Sequence, residues 1–552
     1  MRLLITGGDS RLGGALAEAL GAEHTVRLAL AGRSEGEAGA HPPAGGPGRM
    51  AGDLRDPAFA ARAVDGVDAV LHLAPLWPGL PAGSSASEIL DHAARGTYVL
   101  LNAAVRAGAR RFVLASTLDL FEAYPSTWRV GEGWQPRPST DVPQLAAYVA
   151  EATARECSRV EPLHTVCLRL GQVVDDGDAA GRPYDPRWLH VEDAVQAFRR
   201  ALAYAPFSRQ FATTGPALHG WQVFHIPGGG AWTRVPLAAA VDAAFGYAPA
   251  HTFAGWPGSD RPAPSAGHTP PAPIPSRPIR RVLLLGAGGP LASAAIPLLA
   301  ASYTLRLADL RPLREIVADA RRGAGQPVPT LLGPPHELRE VDVTDPAQVL
   351  AACEGVDAIV NCTVVRPHPV EAFRVNCLGA YHIMRAAVAH RIRRVVHTGP
   401  QQVTLDRPGG YWWDFDVPDE APPRPGSLLY SNTKYLGQEV CRLFAEAYGL
   451  EVPVLLFSRF VDPATAQPTP DGVFPMTVSW EDAGHALRRA LEVPGLPSPF
   501  EIFHILADLP HGKYSNAKAR RLLGWQPRDR LEHLWGRRPM PSGGPAPAAR
   551  QP

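Results

Sequence analysis

Short apolar runs bounded by turn residues alternate with longer segments of helical periodicity along most of the chain. The clearest runs are residues 68–74 (DAVLHLA) and 110–116 (RRFVLAS) in the first half, and residues 357–363 (DAIVNCT) and 393–399 (RRVVHTG) in the second. These runs lack the two-residue alternation of half-exposed strands, as expected for strands buried on both faces of a parallel sheet. Strands that alternate with helices in this way predict a doubly wound α/β fold.

The whole pattern occurs twice, in the same order. The matching segments are residues 52–74 with 340–363, residues 96–117 with 379–400, and residues 190–202 with 479–491. The two copies are offset by 279 to 289 residues. Solenoid repeats have periods of roughly 20 to 50 residues, so this offset indicates duplication of a complete domain. The sequence therefore predicts two Rossmann-like, doubly wound parallel-sheet domains in tandem.

Local composition sets the predicted domain boundaries. Residues 251–278 are rich in Pro, Gly and Ser and predict a semi-extended linker. Residues 539–552 have the same bias and predict a disordered tail. The two domains then cover residues 1–250 and 279–538.

Charge and hydropathy restrict the partners of this protein. Its formal net charge of +1 provides no field to attract nucleic acid or an anionic membrane. No stretch approaches the roughly 18 uninterrupted apolar residues of a membrane span, and the first residues form only a short apolar run broken by glycines. We therefore expect a cytoplasmic protein that binds neither nucleic acid nor a membrane.

The cysteines indicate neither a metal site nor disulfide bonds. All six are scattered along the chain without a CxxC pair. This distribution argues against a zinc site and against a disulfide framework. No metal site is predicted.

Each copy opens with a strand that leads into a glycine-rich turn and then a helix. The turn residues are Gly7, Gly8, Ser10 and Gly13 in the first copy, and Gly286 and Gly289 in the second. Glycine allows the backbone to turn tightly and to approach a pyrophosphate, which then lies at the positive end of the next helix. We expect both turns to bind a nucleotide cofactor.

An acidic residue at the end of the second strand favours NAD over NADP, because it accepts hydrogen bonds from the adenosine ribose hydroxyls. In the second copy this residue is Asp309, which predicts NAD. The first copy offers Arg33 instead, which either suits a 2′-phosphate or is simply solvated. Both NAD and NADP are therefore open for the first domain.

A Tyr-x-x-x-Lys motif occurs in the second copy, at Tyr430 and Lys434. The chain has only three lysines, so this spacing at the proper place in a repeat is a specific signal. Together with the glycine turns, His72 in "HLA" and the Asp-x-x-Asp pairs that begin at Asp53 and Asp342, it makes the chain resemble the extended short-chain dehydrogenase/reductases. These are NAD-dependent epimerases and dehydratases that act on sugars and nucleotide sugars. The resemblance covers nearly the whole chain outside the linker and the tail.

The resemblance implies proton and hydride transfer at a sugar carbon. In that family the tyrosine is a general base, and the lysine one helical turn away stabilises the tyrosinate and holds the nicotinamide ribose. Tyr430 and Lys434 take these roles here, with Asp53 and Asp342 as further cofactor contacts, and each domain ends in a small substrate-binding portion. The alternative is that Tyr430 and Lys434 are an ordinary surface pair on a helix.

The second copy departs from the family pattern at the substrate hydroxyl. Family members place a serine or threonine at the end of the strand before the Tyr-x-x-x-Lys helix, to position the hydroxyl that reacts. Pro400 stands at that place in this chain and cannot do so. Thr398, on the same side of the strand, and the adjacent Gln401 are the candidate substitutes.

The first copy departs in the opposite way. Ser116 and Thr117 supply the hydroxyl, and Tyr148 supplies the phenol, but Ala152 stands where the lysine is expected. Without that cation, Tyr148 is expected to stay protonated at neutral pH. The first domain is therefore expected to be catalytically impaired.

Three further motifs have a structural alternative beside the functional one. Asp193 and Asp482 are expected to cap helices rather than to catalyse. Asn376 is expected to be structural. The aromatic residues 411–413 (YWW) either stack on a sugar or pack within their loop.

Two functions fit these observations. The first is an NAD(P)-dependent oxidoreductase, epimerase or dehydratase that acts on a sugar, sugar acid or nucleotide sugar, with its chemistry in the second domain. Each half is shorter than many nucleotide-sugar epimerases, which favours a small substrate such as a sugar acid. The second is a catalytically impaired, NAD(P)-binding structural or sensing module, for which Pro400 and Ala152 are the evidence. The two domains of one chain are candidates to pair like the subunits of a family dimer.

Overall fold

The computed structural model describes most of the chain. The described residues are 1–32, 48–205, 220–229, 234–236, 239–240, 244–253, 256, 272–319, 325–405, 417–468 and 473–535. Their contacts divide the chain into two compact units. Unit 1 consists of Met1–Ala272, Val365–Ala380 and Arg424–Ala447, and unit 2 consists of Pro273–Val364, Tyr381–Pro423 and Tyr448–Pro552.

Unit 1 contains a seven-stranded, entirely parallel sheet. The strands of the first copy are β1 (Arg2–Thr6), β2 (Thr25–Leu30), β3 (Gly48–Ala51), β4 (Ala69–His72), β5 (Arg111–Thr117), β6 (His164–Leu170), β7 (Gln172–Val174), β8 (Trp188–His190) and β9 (Trp221–Ile226). The sheet order is β3-β2-β1-β4-β5-β6-β9, while β7 and β8 form a separate pair. The order reverses between β1 and β4, which is where open α/β sheets bind ligands.

Unit 2 contains the second seven-stranded parallel sheet. The strands of the second copy are β10 (Arg281–Leu285), β11 (Thr304–Asp309), β12 (Glu337–Glu340), β13 (Ala358–Asn361), β14 (Arg394–Pro400), β15 (Val452–Phe457), β16 (Arg459–Val461), β17 (Thr477–Ser479) and β18 (Phe500–His504). The sheet order is β12-β11-β10-β13-β14-β15-β18, and β16 pairs with β17. The second sheet thus repeats the strand order of the first.

Helices follow the strands in both copies. Those of the first copy are α1 (Arg11–Gly21), α2 (Pro57–Val64), α3 (Ala86–Asp91), α4 (Thr97–Arg106), α5 (Val142–Ser158), α6 (Asp176–Ala179) and α7 (Val191–Ala203). Those of the second copy are α8 (Pro290–Ala300), α9 (Leu313–Ala318), α10 (Pro346–Ala352), α11 (Gly379–Ala389), α12 (Leu429–Tyr448) and α13 (Trp480–Glu492). A π-helical segment precedes α4 (His92–Gly96) and α11 (Phe373–Leu378).

Burial on both faces explains the uninterrupted apolar runs of the sequence. In β1, Leu3 and Ile5 belong to the core on one face of the sheet, and Leu4 belongs to the core on the other. In β10, Val282 and Leu283 are adjacent and both fully buried. The doubly wound fold predicted from these runs is confirmed for both copies.

The two units do not coincide with the two predicted domains, because two segments of the second copy belong to unit 1. At the start of the predicted linker, Phe253 is 9% exposed and packs against Trp188. Residues 257–271 of that linker and the predicted tail lie outside the described residues. None of the described helices is long and apolar enough to cross a membrane.

Candidate active site

The first glycine turn has no room for larger residues. Gly7 has a φ of +66°, and a Cβ atom on Gly13 would lie 2.5 Å from the Gly7 carbonyl oxygen. Ser10 closes the turn, because its Oγ donates to the Gly7 carbonyl oxygen at 2.6 Å and accepts from the Gly13 amide at 3.0 Å. The turn therefore brings bare backbone to the N-terminus of α1, where a phosphate group would bind.

The second glycine turn lies against the acidic residue that ends β11. The Gly288 amide donates to Oδ2 of Asp309 at 2.8 Å. Gly286 has a φ of +73°, and a Cβ atom on Gly288 would lie 2.9 Å from Oδ2 of Asp309. A carboxylate beside a glycine-rich turn is the arrangement that holds the ribose and pyrophosphate of NAD, so these residues fit that cofactor. Arg33, the corresponding candidate of the first copy, lies outside the described residues.

Asp53 and Asp342 have different surroundings in the two copies. Asp53 accepts hydrogen bonds from Nε and Nη2 of Arg55, at 2.9 and 2.8 Å. Burial alone would raise the pKa of Asp53, but its hydrogen bonds and ion pair with Arg55 lower it. Asp342 accepts from the Thr344 amide at 2.8 Å, and no arginine or lysine in the part of the chain that the structure describes forms an ion pair with it. The cofactor roles of Asp53 and Asp342 stay predictions. To bind a cofactor, the Asp53 carboxylate would have to keep its bonds to Arg55 and accept further ones.

The structure shows which residues of α5 correspond to which residues of α12. The residues compared all belong to unit 1 apart from those of β14. An offset of 283 residues relates three pairs of equivalent residues: Arg111 and Arg394, which begin β5 and β14; Glu156 and Glu439; and Arg159 and Arg442, which form ion pairs with those two glutamates. At this offset Tyr430 corresponds to Ala147, and Lys434 corresponds to Glu151. The first copy therefore lacks both the phenol and the cation.

Glu151 takes part in a buried ion pair. Its carboxylate accepts from Nη2 of Arg169 at 2.5 Å and from Oγ of Ser116 at 2.8 Å. Burial alone would raise the pKa of Glu151, but the charge of Arg169 and these hydrogen bonds lower it, so the group is ionised. Arg169 also lies 3.2 Å from Nε2 of His225, and burial together with the charge of Arg169 lowers the pKa of His225 to about 3. An anion thus occupies the place of the lysine.

Tyr148, the candidate phenol of the first copy, is buried and hydrogen-bonded. Its side chain is 3% exposed, its hydroxyl donates to the Glu439 carboxylate, and Nη2 of Arg442 donates to that hydroxyl at 3.0 Å. Burial, and then the charge of Glu439, raises the pKa of Tyr148. The Tyr148 hydroxyl thus takes part in the packing of α5 with α12 inside unit 1, and its catalytic role stays a prediction that would require these bonds to break.

Tyr430 and Lys434 lie one turn apart at the start of α12. Lys434 is 3% exposed, which excludes the alternative that it is an ordinary surface lysine. The Arg366 guanidinium lies 5.3 Å from the centroid of the half-buried Tyr430 ring. Burial raises the pKa of Tyr430 above its ordinary value, and the charge of Arg366 and its hydrogen bond offset only part of that rise. Arg366 has no counterpart in the sequence motif, so sequence reasoning missed it.

Asn376 and Gly437 hold α12 in place within unit 1. Nδ2 of Asn376 donates to Oγ1 of Thr433 at 3.0 Å and to the Val365 carbonyl oxygen at 2.7 Å. A Cβ atom on Gly437 would lie 2.1 Å from the Asn376 carbonyl oxygen, so only glycine permits this approach. The structural role expected for Asn376 is confirmed.

The candidate hydroxyl groups already take part in hydrogen bonds. Oγ1 of Thr398, 7% exposed, donates to the Asn361 carbonyl oxygen at 2.9 Å. Nε2 of the fully buried Gln401 donates to the Tyr514 hydroxyl at 2.9 Å, while its Oε1 has no partner among the described residues. Oγ1 of Thr117 accepts from the Asp119 amide at 3.1 Å. The catalytic roles of Thr398 and Thr117 stay predictions. Each hydroxyl would have to bind the substrate in addition to, or in place of, its present partner.

The candidate residues of the second copy are divided between the units. Tyr430, Lys434 and Arg366 belong to unit 1, whereas Gly286, Gly289, Asp309, Asp342 and Thr398 belong to unit 2. Unit 2 also has a cavity of about 270 Å³ beside β16 and β17. Its lining includes Arg459, Asp462, Thr465 and the stacked rings of Phe460 and Trp480.

Two expectations about helix ends are corrected, and one motif is outside the structure. The N-caps of α7 and α13 are His190 and Ser479, not Asp193 and Asp482. The two aspartates instead accept backbone amides from a later segment, residues 250–251 for Asp193 and residues 528–529 for Asp482. Residues 411–413 lie outside the described residues.

Two parallel sheets that each begin with a strand, a glycine turn and a helix define a tandem Rossmann-type protein built for a nucleotide cofactor. The chain belongs to the NAD dependent epimerase/dehydratase family, which matches residues 3–182 and 282–487. The matched segments lie in both copies, which agrees with a tandem duplication.

Similar proteins include several sugar dehydrogenases. A uronate dehydrogenase of Pseudomonas putida is 28% identical over 279 residues, which are 50% of this chain and 92% of that protein. An NAD-dependent glucose-6-phosphate dehydrogenase of Haloferax volcanii is 25% identical over 260 residues, which are 45% of this chain and 93% of that protein. The crystal structure of uronate dehydrogenase from Agrobacterium tumefaciens is 23% identical, with a TM-score of 0.36, over 46% of this chain and 85% of that one.

Proposed function

We propose that this protein is an NAD-dependent dehydrogenase of a sugar acid, with its chemistry in the second copy. The observation that carries the proposal is the contrast between the equivalent positions of α5 and α12. The second copy has Tyr430 and Lys434 where the first has Ala147 and Glu151. Removing a hydroxyl proton requires a base that is ionised near neutral pH, which a phenol beside cations can be and an alanine cannot.

The substrate class follows from the relatives. Two uronate dehydrogenases and a glucose-6-phosphate dehydrogenase are similar to this chain over 71 to 93% of their own length. Their names support an anionic hexose derivative over a nucleotide sugar. Arg459, which lines the cavity of unit 2, is a candidate to bind the substrate's carboxylate.

Each residue of the second copy has a proposed task. The Tyr430 phenolate takes the proton of the reacting hydroxyl, and the cations Lys434 and Arg366 favour the phenolate over the phenol. Asp309 accepts the adenosine ribose hydroxyls, and the Gly286–Gly289 turn receives the pyrophosphate. NAD, when bound, supplies the hydride acceptor.

The purified chain tests the proposal directly. Bound nucleotide would be released and identified, and reduction of added NAD would be followed with hexuronates, hexose phosphates and neutral hexoses. We expect reduction with one or more hexuronates and little with neutral hexoses. No affinity for NAD and no reduction with any of these sugars would refute the proposal and favour a non-catalytic module.

The substitution Asp309→Asn tests the cofactor site of the second copy. We expect the KM for NAD to rise about tenfold with little change in kcat, because hydrogen bonds to a charged acceptor contribute about 1.5–3 kcal/mol each. Asp319→Asn, in the same unit, is the control. An unchanged KM for NAD would show that Asp309 does not contact the ribose.

The substitution Arg366→Gln tests the cation beside the Tyr430 ring. The charge of Arg366 lowers the pKa of Tyr430. Its removal should therefore raise the apparent pKa at which kcat increases with pH, by about half to one pH unit for an exposed arginine. Arg374→Gln, an exposed arginine of the same segment that pairs with Glu371, should leave the profile in place. An unshifted limb in Arg366→Gln would remove Arg366 from the site.

A further inference from the structure

The start of α7, in unit 1, carries a cluster of imidazoles and carboxylates outside the proposed active site. His190 and Glu192 come from the junction of β8 and α7, and His251 comes from the segment that follows β9. One potential ligand atom of each lies within 4.8 Å of those of the other two. The rings of His190 and His251 stack, with centroids 3.7 Å apart and planes inclined by 20°. The second copy has Ser479 where the first has His190, so it lacks this cluster.

The surroundings of His251 call for a cation. Its Nε2 lies 3.2 Å from Oε2 of Glu192, and its Nδ1 lies 3.4 Å from Oδ1 of Asp193. A neutral imidazole carries only one N–H, so one of its nitrogens would point a lone pair at a carboxylate oxygen. A metal ion between Nε2 and Glu192 removes this repulsion, as a second ring proton would, and the two are told apart by metal titration. The carboxylate at Nδ1 is also the usual neighbour of a metal-bound histidine.

Asp193 holds His251 at this place. Its carboxylate accepts the backbone amides of Ala250 at 2.7 Å and of His251 at 3.1 Å. Two residues further on, Phe253 has a φ of +53°, a rare conformation for a bulky residue, and its ring packs 5.6 Å from that of Trp188. Such backbone strain persists only where the surrounding packing enforces it. The position of His251 beside α7 is therefore built in and does not depend on a metal.

His190 can supply the second imidazole at a small cost. Its Nε2 lies 3.6 Å from Oδ1 of the exposed Asp176, whose carboxylate is outside the group of three and would have to rotate towards it to complete the coordination. Its Nδ1 accepts the Glu192 amide at 3.3 Å. Metal binding through Nε2 would move the ring proton to Nδ1, so this bond would be given up. At 3.3 Å it is longer than a normal hydrogen bond, and little stabilisation is lost.

We propose that His190, His251 and Glu192 bind a divalent transition metal such as Zn²⁺, with Asp176 as the fourth ligand. Two imidazoles with carboxylates suit zinc, whereas Mg²⁺ and Ca²⁺ prefer oxygen ligands alone. The scattered cysteines argue against a zinc site built from thiolates, whereas the ligands proposed here are imidazoles and carboxylates. The ion would add a further link between α7 and the segment after β9, which Asp193 already holds there, and so would stabilise the first copy independently of the proposed dehydrogenase.

The test uses the full chain without a histidine tag, after treatment with a chelator. Co²⁺ is titrated with visible absorption as the readout, Zn²⁺ by calorimetry, and Tm is measured with each. We expect one equivalent to bind with a tetrahedral Co²⁺ spectrum and to raise Tm. His251→Ala and Glu192→Gln should weaken binding at least about tenfold and abolish the rise in Tm. His533→Ala, which removes an exposed histidine of unit 2, should change neither.

Three results would overturn the proposal. They are the absence of stoichiometric binding to the wild-type chain, unchanged affinity in both His251→Ala and Glu192→Gln, and an equal rise in Tm with Mg²⁺. Glu192 is exposed, so Glu192→Gln should fold normally even if His251→Ala does not. NAD reduction by the metal-free chain is expected to persist, which separates this site from the proposed activity.

Discussion

Replacing Tyr430 by phenylalanine is expected to lower kcat for sugar-acid oxidation by about 10²- to 10⁴-fold, the typical contribution of a general base. The substitution removes one oxygen atom from a half-buried ring at the start of α12. The ring itself stays, so KM for the sugar and for NAD should change little. Steady-state kinetics with both substrates varied would separate the two parameters.

A second tyrosine on the same helix provides the matched control. The hydroxyl of Tyr435 accepts from Nη2 of Arg155 at 2.5 Å within a buried contact. Tyr435→Phe should therefore cost stability, about 1 kcal/mol for a hydrogen bond, and leave kcat near the wild-type value. Activity that survives in Tyr430→Phe but is lost in Tyr148→Phe would show that the chemistry lies in the first copy.

Glu151→Ala is expected to have the largest effect on stability, about 3–5 kcal/mol of unfolding free energy. Glu151 and Arg169 are 2% and 3% exposed. The substitution would leave the Arg169 guanidinium buried without its counter-charge, and this desolvated cation is the main cost. Urea unfolding followed by circular dichroism would measure the loss, and NAD reduction by the folded variant should persist.

Two comparisons isolate the ion pair from other causes. Glu371→Ala, which removes an exposed partner of Arg374 in unit 1, should cost less than about 1 kcal/mol. The double variant Glu151→Leu with Arg169→Met should lose less than Glu151→Ala, because neither charge remains buried. A loss below about 1 kcal/mol in Glu151→Ala itself would mean that water reaches Arg169.

The sequence predicted the duplication and both sheets because their signals are local. Runs such as residues 110–116 and 393–399 are apolar throughout, and burial on both faces is the physical cause of that composition. The glycine turns were also predictable, because glycines such as Gly13 belong to a short sequence motif. Gly437 is required by a tight contact as well, but it belongs to no such motif. Gly437 serves a contact with a residue 61 positions earlier, Asn376.

The position of Tyr148 on α5 differs from that of Tyr430 on α12 for a physical reason. Matching the copies by identical residues aligns Tyr148 with Tyr430, which is an offset of 282 residues. The contacts of the helices set an offset of 283, because Glu156 and Arg159 repeat the pair Glu439 and Arg442. One residue along a helix is a rotation of about 100°. The side chain of Tyr148 therefore lies on the face that packs with α12.

By itself, the sequence determined that this protein is a tandem pair of α/β domains, each opening with a glycine-rich turn, and that only the second carries a Tyr-x-x-x-Lys motif. Those properties depend on residue types at short spacing, which a chain displays without folding. Only the tertiary structure decided that Glu151 replaces the lysine in the first copy, that Arg366 lies over Tyr430, and that His251 meets His190. These are contacts between segments far apart in the chain, and packing, not local propensity, selects them.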